Sequence, residues 1–218
     1  MKKELLTNLW SWADSHGVCD LVWVEHQSYL KGGYFKGFPR DEERLLQLEE
    51  LNLLGSQLQE LPEEITQLHA LKRIYLTGNQ LKSLPLSLGN LSNLEELYVP
   101  GNKLTALPSS IGSLSKLKIL SLQENALSSL PDEIGELNAL EVLEIGANAI
   151  ETLPLTLGNL SQLKKLTLWK NRLQALPHNI ENLTNLQELD FLYNKIVLTQ
   201  ENLVWLEKLI TDGCEITL

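Results

Sequence analysis

The sequence predicts an α/β fold: one curved solenoid whose short parallel strands line the concave side, with short helical or 3₁₀ segments on the convex side. Three observations predict it. Asparagine recurs with a 23-residue step, proline recurs with the same step, and leucines occupy fixed positions between them. A unit of this size cannot bury its own apolar face, so successive units must stack, and we expect a right-handed coil.

The repeated unit follows the pattern LxxLxLxxNxLxxLPxxIxxL. Its asparagines are Asn79, Asn102, Asn125, Asn148, Asn171 and Asn194. Its prolines are Pro62, Pro85, Pro108, Pro131, Pro154 and Pro177. Seven copies open at Leu48, Leu71, Leu94, Leu117, Leu140, Leu163 and Leu186. Alternation in LxxLxL predicts a strand whose leucines point inward and whose neighbours point outward.

Asparagine and proline have different tasks in this unit. An asparagine amide after the strand can bond the backbone groups of a turn, and stacked repeats would align these amides in a ladder. Proline has no N–H and begins the return segment. In the first copy Ser56 replaces the asparagine, so we expect a looser turn there.

The segments that flank the repeats are predicted to be caps. Residues 1–44 form the amino-terminal cap, residues 45–198 the repeats, and residues 199–218 a carboxyl-terminal cap helix. Near the start, Leu5, Leu6, Leu9, Trp10 and Ala13 share one face of a predicted helix over residues 3–14. Near the end, Thr199 is placed to begin a helix and Gly213 to stop it.

Charge and cysteine content limit the partners and the compartment. The 218 residues carry a formal net charge of −10, which disfavours nucleic acid and membrane surfaces as partners. No segment approaches the ~18 apolar residues of a membrane helix. The two distant cysteines, Cys19 and Cys214, indicate a reducing compartment. We therefore expect a cytoplasmic protein, or one delivered into a host cytosol.

The period of 23 with LPxxIxxLxxL resembles the intracellular leucine-rich repeats of Ras-suppressor-like, Scribble-type and Roco proteins and of many bacterial relatives. The resemblance covers about residues 39–198. It implies a non-catalytic module that binds a protein or peptide on its concave sheet, as a signalling adaptor or as a bacterial effector or scaffold. It implies no cofactor and no resident metal.

The alternative function is a metal- or thiol-dependent activity in the amino-terminal cap. The segment from Asp14 to Asp20 contains His16 and Cys19, and His26 follows shortly after. A cysteine–histidine pair can form a nucleophile, and these residue types also bind metals.

The outward strand positions hold the candidate binding residues. One column alternates strictly in sign, which favours a self-neutralised ladder: Glu49, Lys72, Glu95, Lys118, Glu141 and Lys164. Other columns hold aromatic and aliphatic side chains that the core does not need, as protein interfaces do. We expect these to contact the partner: Tyr75, Tyr98, Ile119, Val142, Trp169, Lys170 and Tyr193. Lys165, Lys170 and Arg172 around Trp169 are expected to form a basic patch.

Overall fold

A computed structural model describes residues 2–24 and 34–217 of the chain. It begins with helix α1, Lys2–Ser15. Strand β1, Val22–Val24, then pairs antiparallel with β2, Tyr34–Lys36, and the short helix α2, Glu42–Leu46, precedes the repeats. The predicted boundary between residues 44 and 45 therefore falls inside α2.

Eight parallel strands form the main sheet, and they follow one another in chain order. The seven repeats supply seven of them: β3 Glu50–Asn52, β4 Arg73–Tyr75, β5 Glu96–Tyr98, β6 Ile119–Ser121, β7 Val142–Glu144, β8 Lys165–Thr167 and β9 Glu188–Asp190. The carboxyl-terminal tail adds β10, Glu215–Thr217, beside β9. The fold is the predicted right-handed α/β solenoid.

The convex side is built from six 3₁₀ segments, one between each pair of repeat strands. They are Glu63–Gln67, Leu88–Asn90, Ser109–Ser113, Asp132–Glu136, Leu155–Asn159 and His178–Asn182. Proline precedes five of them in an extended conformation, as predicted, whereas Ser87 precedes the second. Their isoleucines and leucines point into the core against the middle residue of each strand, such as Leu120, which is completely buried.

The repeated asparagines form the predicted ladder. The side-chain oxygen of Asn125 accepts the backbone N–H of Leu104 in the preceding repeat at 3.0 Å. Its amide nitrogen donates to the carbonyl of Val99 in that repeat and to the carbonyl of Leu122 in its own. The same pattern recurs at Asn79, Asn102, Asn148, Asn171 and Asn194. Each amide thus joins two repeats and satisfies three or more backbone groups.

The turn before each repeated asparagine, and before Ser56 in the first repeat, places its last residue in the left-handed region of backbone conformation. In the first three repeats this residue is a glycine, with φ between 60° and 69°. In the last four it carries a side chain and φ lies between 52° and 58°: Glu124, Ala147, Lys170 and Tyr193. A residue with a Cβ atom costs about 1–2 kcal/mol in this conformation.

The amino-terminal cap packs through α1. Leu5, Leu6, Leu9 and Ala13 are buried as predicted. Trp12 is also buried, with 7% of its surface exposed, a position that the prediction gave to Trp10. Trp10 is partly buried and packs against the same core, and its indole N–H donates to the carbonyl of Pro39.

At the other end, Thr199 accepts the N–H of Asn202 and begins α3, Gln200–Thr211. Gly213 follows the helix with φ of 90°. Cys214 is buried next to β10, whereas Cys19 is exposed in the amino-terminal cap, and both are free thiols. None of the helices among the described residues combines the length and apolar character needed to span a membrane.

Asn125→Ala removes an amide that bonds four backbone groups. We expect the free energy of unfolding to fall by about 1–3 kcal/mol, because buried turn groups lose their partners. Urea denaturation measures the change. Asn138→Ala is the matched control, since its exposed amide bonds only the carbonyl of Glu136 within the same repeat. Equal losses in the two variants would contradict the structural role of the ladder.

Ala147→Gly relieves the left-handed strain at φ of 52°. Allowing for the extra flexibility of glycine in the unfolded chain, we expect a gain of up to about 1 kcal/mol in the free energy of unfolding. Ala126→Gly, in an exposed turn residue outside the left-handed region, is expected to lose about 0.5–1 kcal/mol. Thermal denaturation measures the stability of the two variants. If both variants are less stable than the wild type, left-handed strain at Ala147 is refuted.

Candidate functional site

Two columns of side chains cover the concave face. We name the columns by the position of their residues in the three-residue strands: the first column contains the first residue of each strand, and the third column contains the third. The middle residue of each strand points into the core and is not part of this face. In order from β3 to β10, the first column is Glu50, Arg73, Glu96, Ile119, Val142, Lys165, Glu188 and Glu215. The third column is Asn52, Tyr75, Tyr98, Ser121, Glu144, Thr167, Asp190 and Thr217.

Tyr75 and Tyr98 form a stacked pair in the third column. Their ring centroids are 5.0 Å apart and the rings are nearly parallel, at 9°. The hydroxyl of Tyr75 donates to the carboxylate of Glu96 at 3.4 Å. Burial, assisted by the negative charges of Glu96 and Glu50, raises the pKa of Tyr75 to about 12. Burial and Glu96 raise the pKa of Tyr98 as well, so both phenols stay protonated.

Ile119 and Val142 lie side by side in the first column, on the two central strands β6 and β7. Both are half-buried at positions that point away from the core. They form an aliphatic centre on the concave face, and the tyrosine pair lies on the preceding strands β4 and β5.

The other three predicted residues lie beyond the ends of the strands. The indole of Trp169 rests on Gly146 of the preceding repeat, where any Cβ atom would collide with the ring. Lys170 and Tyr193 occupy the left-handed turn position, and Tyr193 is 73% exposed. The seven predicted residues therefore lie in four different columns.

The alternating column next to the strands pairs as predicted. Lys72, Lys118 and Lys164 each contact the glutamate 23 residues earlier, at 2.7 Å. Hydrogen bonding to Lys118 lowers the pKa of Glu95, and hydrogen bonding to Lys164 lowers that of Glu141. These charges neutralise one another.

The predicted basic patch around Trp169 is wrong. Lys165 is held between Glu144 at 3.2 Å and Glu188 at 3.1 Å, and the guanidinium of Arg172 lies 3.9 Å from Glu151. Of these cations, only Lys170 is left without an ion pair in the described part of the chain. The prediction counted the cations around Trp169 but did not consider the first column, which holds most of the carboxylates on the concave face.

The concave face is therefore acidic. The first and third columns contain six carboxylates, those of Glu50, Glu96, Glu144, Glu188, Asp190 and Glu215, against the two cations Arg73 and Lys165. Their positions in the period of 23 residues were visible in the sequence. The first column lies one residue after the alternating column, and the third column lies three residues after it.

The residues of the alternative site in the amino-terminal cap are held by separate partners. Asp14 pairs with Arg40 at 2.8 Å, and His16 bonds the carbonyl of Trp12 and packs on its ring. Cys19 is exposed, and no hydrogen bond joins it to His16. Within residues 2–24 and 34–217 no group of three metal-binding side chains comes together. His26 lies outside the described residues.

Two family models match the chain. One is described as leucine rich repeat and matches residues 46–104, and the other is described as leucine-rich repeat region and matches residues 108–211. Together they contain the opening leucines of all seven repeats. No curated protein gives a significant match.

Solved structures from plants are similar to this chain. The leucine-rich repeat ectodomain of the Arabidopsis thaliana receptor kinase GASSHO1/SCHENGEN3, in complex with CASPARIAN STRIP INTEGRITY FACTOR 2, is 31% identical with a TM-score of 0.67. The similarity covers 72% of this chain and 20% of that one. The plant peptide hormone receptor RGFR1, in complex with RGF2, is 33% identical with a TM-score of 0.64, over 71% of this chain and 26% of that one.

A type III effector domain of similar size is also similar in structure to this chain. The leucine-rich repeat domain of the type III effector XopL is 26% identical with a TM-score of 0.62, over 83% of this chain and 72% of that domain. The chain thus spans about a quarter or less of the two plant structures and most of the effector domain. The period, the parallel sheet and these matches agree, and the chain belongs to the leucine-rich repeat family.

Proposed function

We propose that this protein is a non-catalytic recognition module that binds a protein or peptide on the concave face of its sheet. The observation that carries the proposal is the placement of Tyr75, Tyr98, Ile119 and Val142. These large side chains stand at outward strand positions, where folding requires only a residue compatible with a strand. Interfaces gain most of their affinity from a few such aromatic and aliphatic anchors.

The rigidity of the face supports the same function. The asparagine ladder and the stacked tyrosine rings hold the outward side chains in place before a partner arrives. A preorganised surface loses little conformational entropy on binding, so more of the contact energy is available for affinity. The outer anchors Trp169, Lys170 and Tyr193 extend the surface beyond the strand ends.

The relatives support a peptide or protein as the partner. The GASSHO1/SCHENGEN3 ectodomain was solved in complex with CASPARIAN STRIP INTEGRITY FACTOR 2. RGFR1, a plant peptide hormone receptor, was solved in complex with RGF2. The similarity to a type III effector supports a role as a bacterial effector or scaffold, and a signalling adaptor is the other role that we propose. We place the protein in the cytoplasm or in a host cytosol, since its two cysteines are distant in the fold.

Selection from a random peptide display library tests the binding face. We expect peptides that bind the wild-type protein to lose affinity about thirtyfold, or about 2 kcal/mol, with Tyr98→Ala and with Trp169→Ala. Isothermal titration calorimetry measures the affinities, and thermal midpoints of the variants are expected to stay close to the wild type.

Glu133→Ala, on the convex 3₁₀ segment Asp132–Glu136, is the control and is expected to leave the affinity unchanged. Peptides that bind both aromatic variants normally but lose affinity for the convex variant would place the site elsewhere and refute the proposal.

A further inference from the structure

Two groups of charged side chains on the concave face each retain one negative charge. Glu96 accepts the hydroxyl of Tyr75, and its neighbour across the strands is Arg73. Arg73 is paired with Glu50 at 3.0 Å, so these two carboxylates share one cation and retain one negative charge. Glu144 shares the single ammonium of Lys165 with Glu188, so this group of three retains one negative charge.

The tyrosine pair adds a second kind of attraction for a cation. Both rings are half-buried and stacked, and the hydroxyl of Tyr75 donates to Glu96, which holds this ring beside that carboxylate. Burial, together with the negative charges of Glu96 and Glu144, raises the pKa of Tyr98. An ammonium or guanidinium next to an aromatic ring and a carboxylate is favoured by both groups.

An additional polar group near Glu144 has no partner. The hydroxyl of Thr167, which is directly across from Glu144 on the next strand, is buried and makes no hydrogen bond with the described residues. Only 4% of the Thr167 surface is exposed. A buried hydroxyl without a hydrogen-bond partner is uncommon. The hydroxyl of Thr167 lies beside Glu144, a carboxylate that shares its only cation, Lys165, with Glu188.

The separation of the two carboxylates sets the length of the partner segment. Glu96 is the first residue of β5 and Glu144 is the third residue of β7, so their backbones are about 12 Å apart at the usual strand spacing and rise. Residues i and i+4 of an extended chain are about 13 Å apart and point to the same side. Ile119, on the intervening strand β6, lies between the two carboxylates, with Val142 beside it on β7.

We propose that the concave face binds an extended segment of a protein partner that carries two cationic side chains four residues apart and an apolar side chain midway between them. The cations contact Glu96 with its tyrosine pair and Glu144, while the apolar side chain covers Ile119 and Val142. This inference rests on the proposed function and gives it a partner chemistry.

Three synthetic peptides test the proposal. They share an extended sequence with leucine at the centre and carry arginine, glutamine or glutamate at the positions two residues before and after it, with both termini blocked. Fluorescence anisotropy is expected to show the arginine peptide binding at least about tenfold more tightly than the glutamine peptide, with weaker binding at high salt. The glutamate peptide is expected to bind most weakly.

Variants of the protein assign the charges to positions. Glu96→Gln and Glu144→Gln are each expected to weaken the arginine peptide about five- to tenfold and to leave the glutamine peptide unchanged. Glu133→Gln removes the same charge from the convex side and is the matched control, with no expected effect. Glu96→Lys is expected to reverse the preference, so that a peptide with one arginine replaced by glutamate regains affinity.

The outcomes separate this inference from the broader proposal. Equal binding of the arginine and glutamine peptides, lost in Tyr98→Ala, would overturn the cationic partner and retain the concave site. A second outcome would also overturn the inference. If Glu96→Gln, Glu144→Gln and Glu133→Gln all weaken binding of the arginine peptide equally, the peptide is attracted by the net charge of the protein alone. Failure of all three peptides to bind would overturn it, while the display selection decides the broader proposal.

Discussion

The amide of each repeated asparagine holds two neighbouring turns together, and the rest of the structure depends on that contact. The turn after a strand leaves backbone N–H and C=O groups inside the stack, where water cannot reach them. One side chain satisfies groups of both repeats, such as the Leu104 N–H and the Leu122 carbonyl around Asn125. Because the contact requires the same turn at the same height in neighbouring repeats, it keeps the seven repeat strands in register.

That register decides which residues are free to vary. The middle strand residue and the convex isoleucine are confined to the core, whereas the first and third strand residues lie outside the apolar core. In this chain those free positions combine a stacked tyrosine pair, two aliphatic residues and an excess of carboxylates. The adjacent column behaves differently, since its lysines and glutamates pair across strands and leave little charge. Two neighbouring columns thus have opposite electrostatic roles.

The period alone was sufficient to predict the strands, the convex segments and the ladder, because each depends on positions that repeat. The terminal helices were predicted from the apolar face of residues 3–14 and from the cap at Thr199. The binding surface was harder to predict. Ion pairing of Lys165 depends on side chains from three strands, and the sequence shows its nearest neighbours only along the chain. Lys170 and Tyr193 look like outward strand residues by alternation, but the left-handed turn ends the alternation before them. The contact of Trp169 with Gly146 joins two repeats at a position that varies between copies, so no repeated signal marks it.

The two ends of the main sheet differ in how their edges are protected. At β3, the N–H of Gly37 donates to the carbonyl of Asn52 at 3.0 Å, so the cap covers the edge with main chain. At the opposite end, β10 has the exposed Glu215 in register with Glu188 of β9. If another copy of the chain added a ninth strand beside β10 in the same register, a charged residue of that strand would lie beside the carboxylates of Glu215 and Glu188. Like charges in adjacent strand positions oppose such growth, so the short acidic strand discourages end-to-end polymerisation of a sheet that would otherwise present free hydrogen-bonding groups.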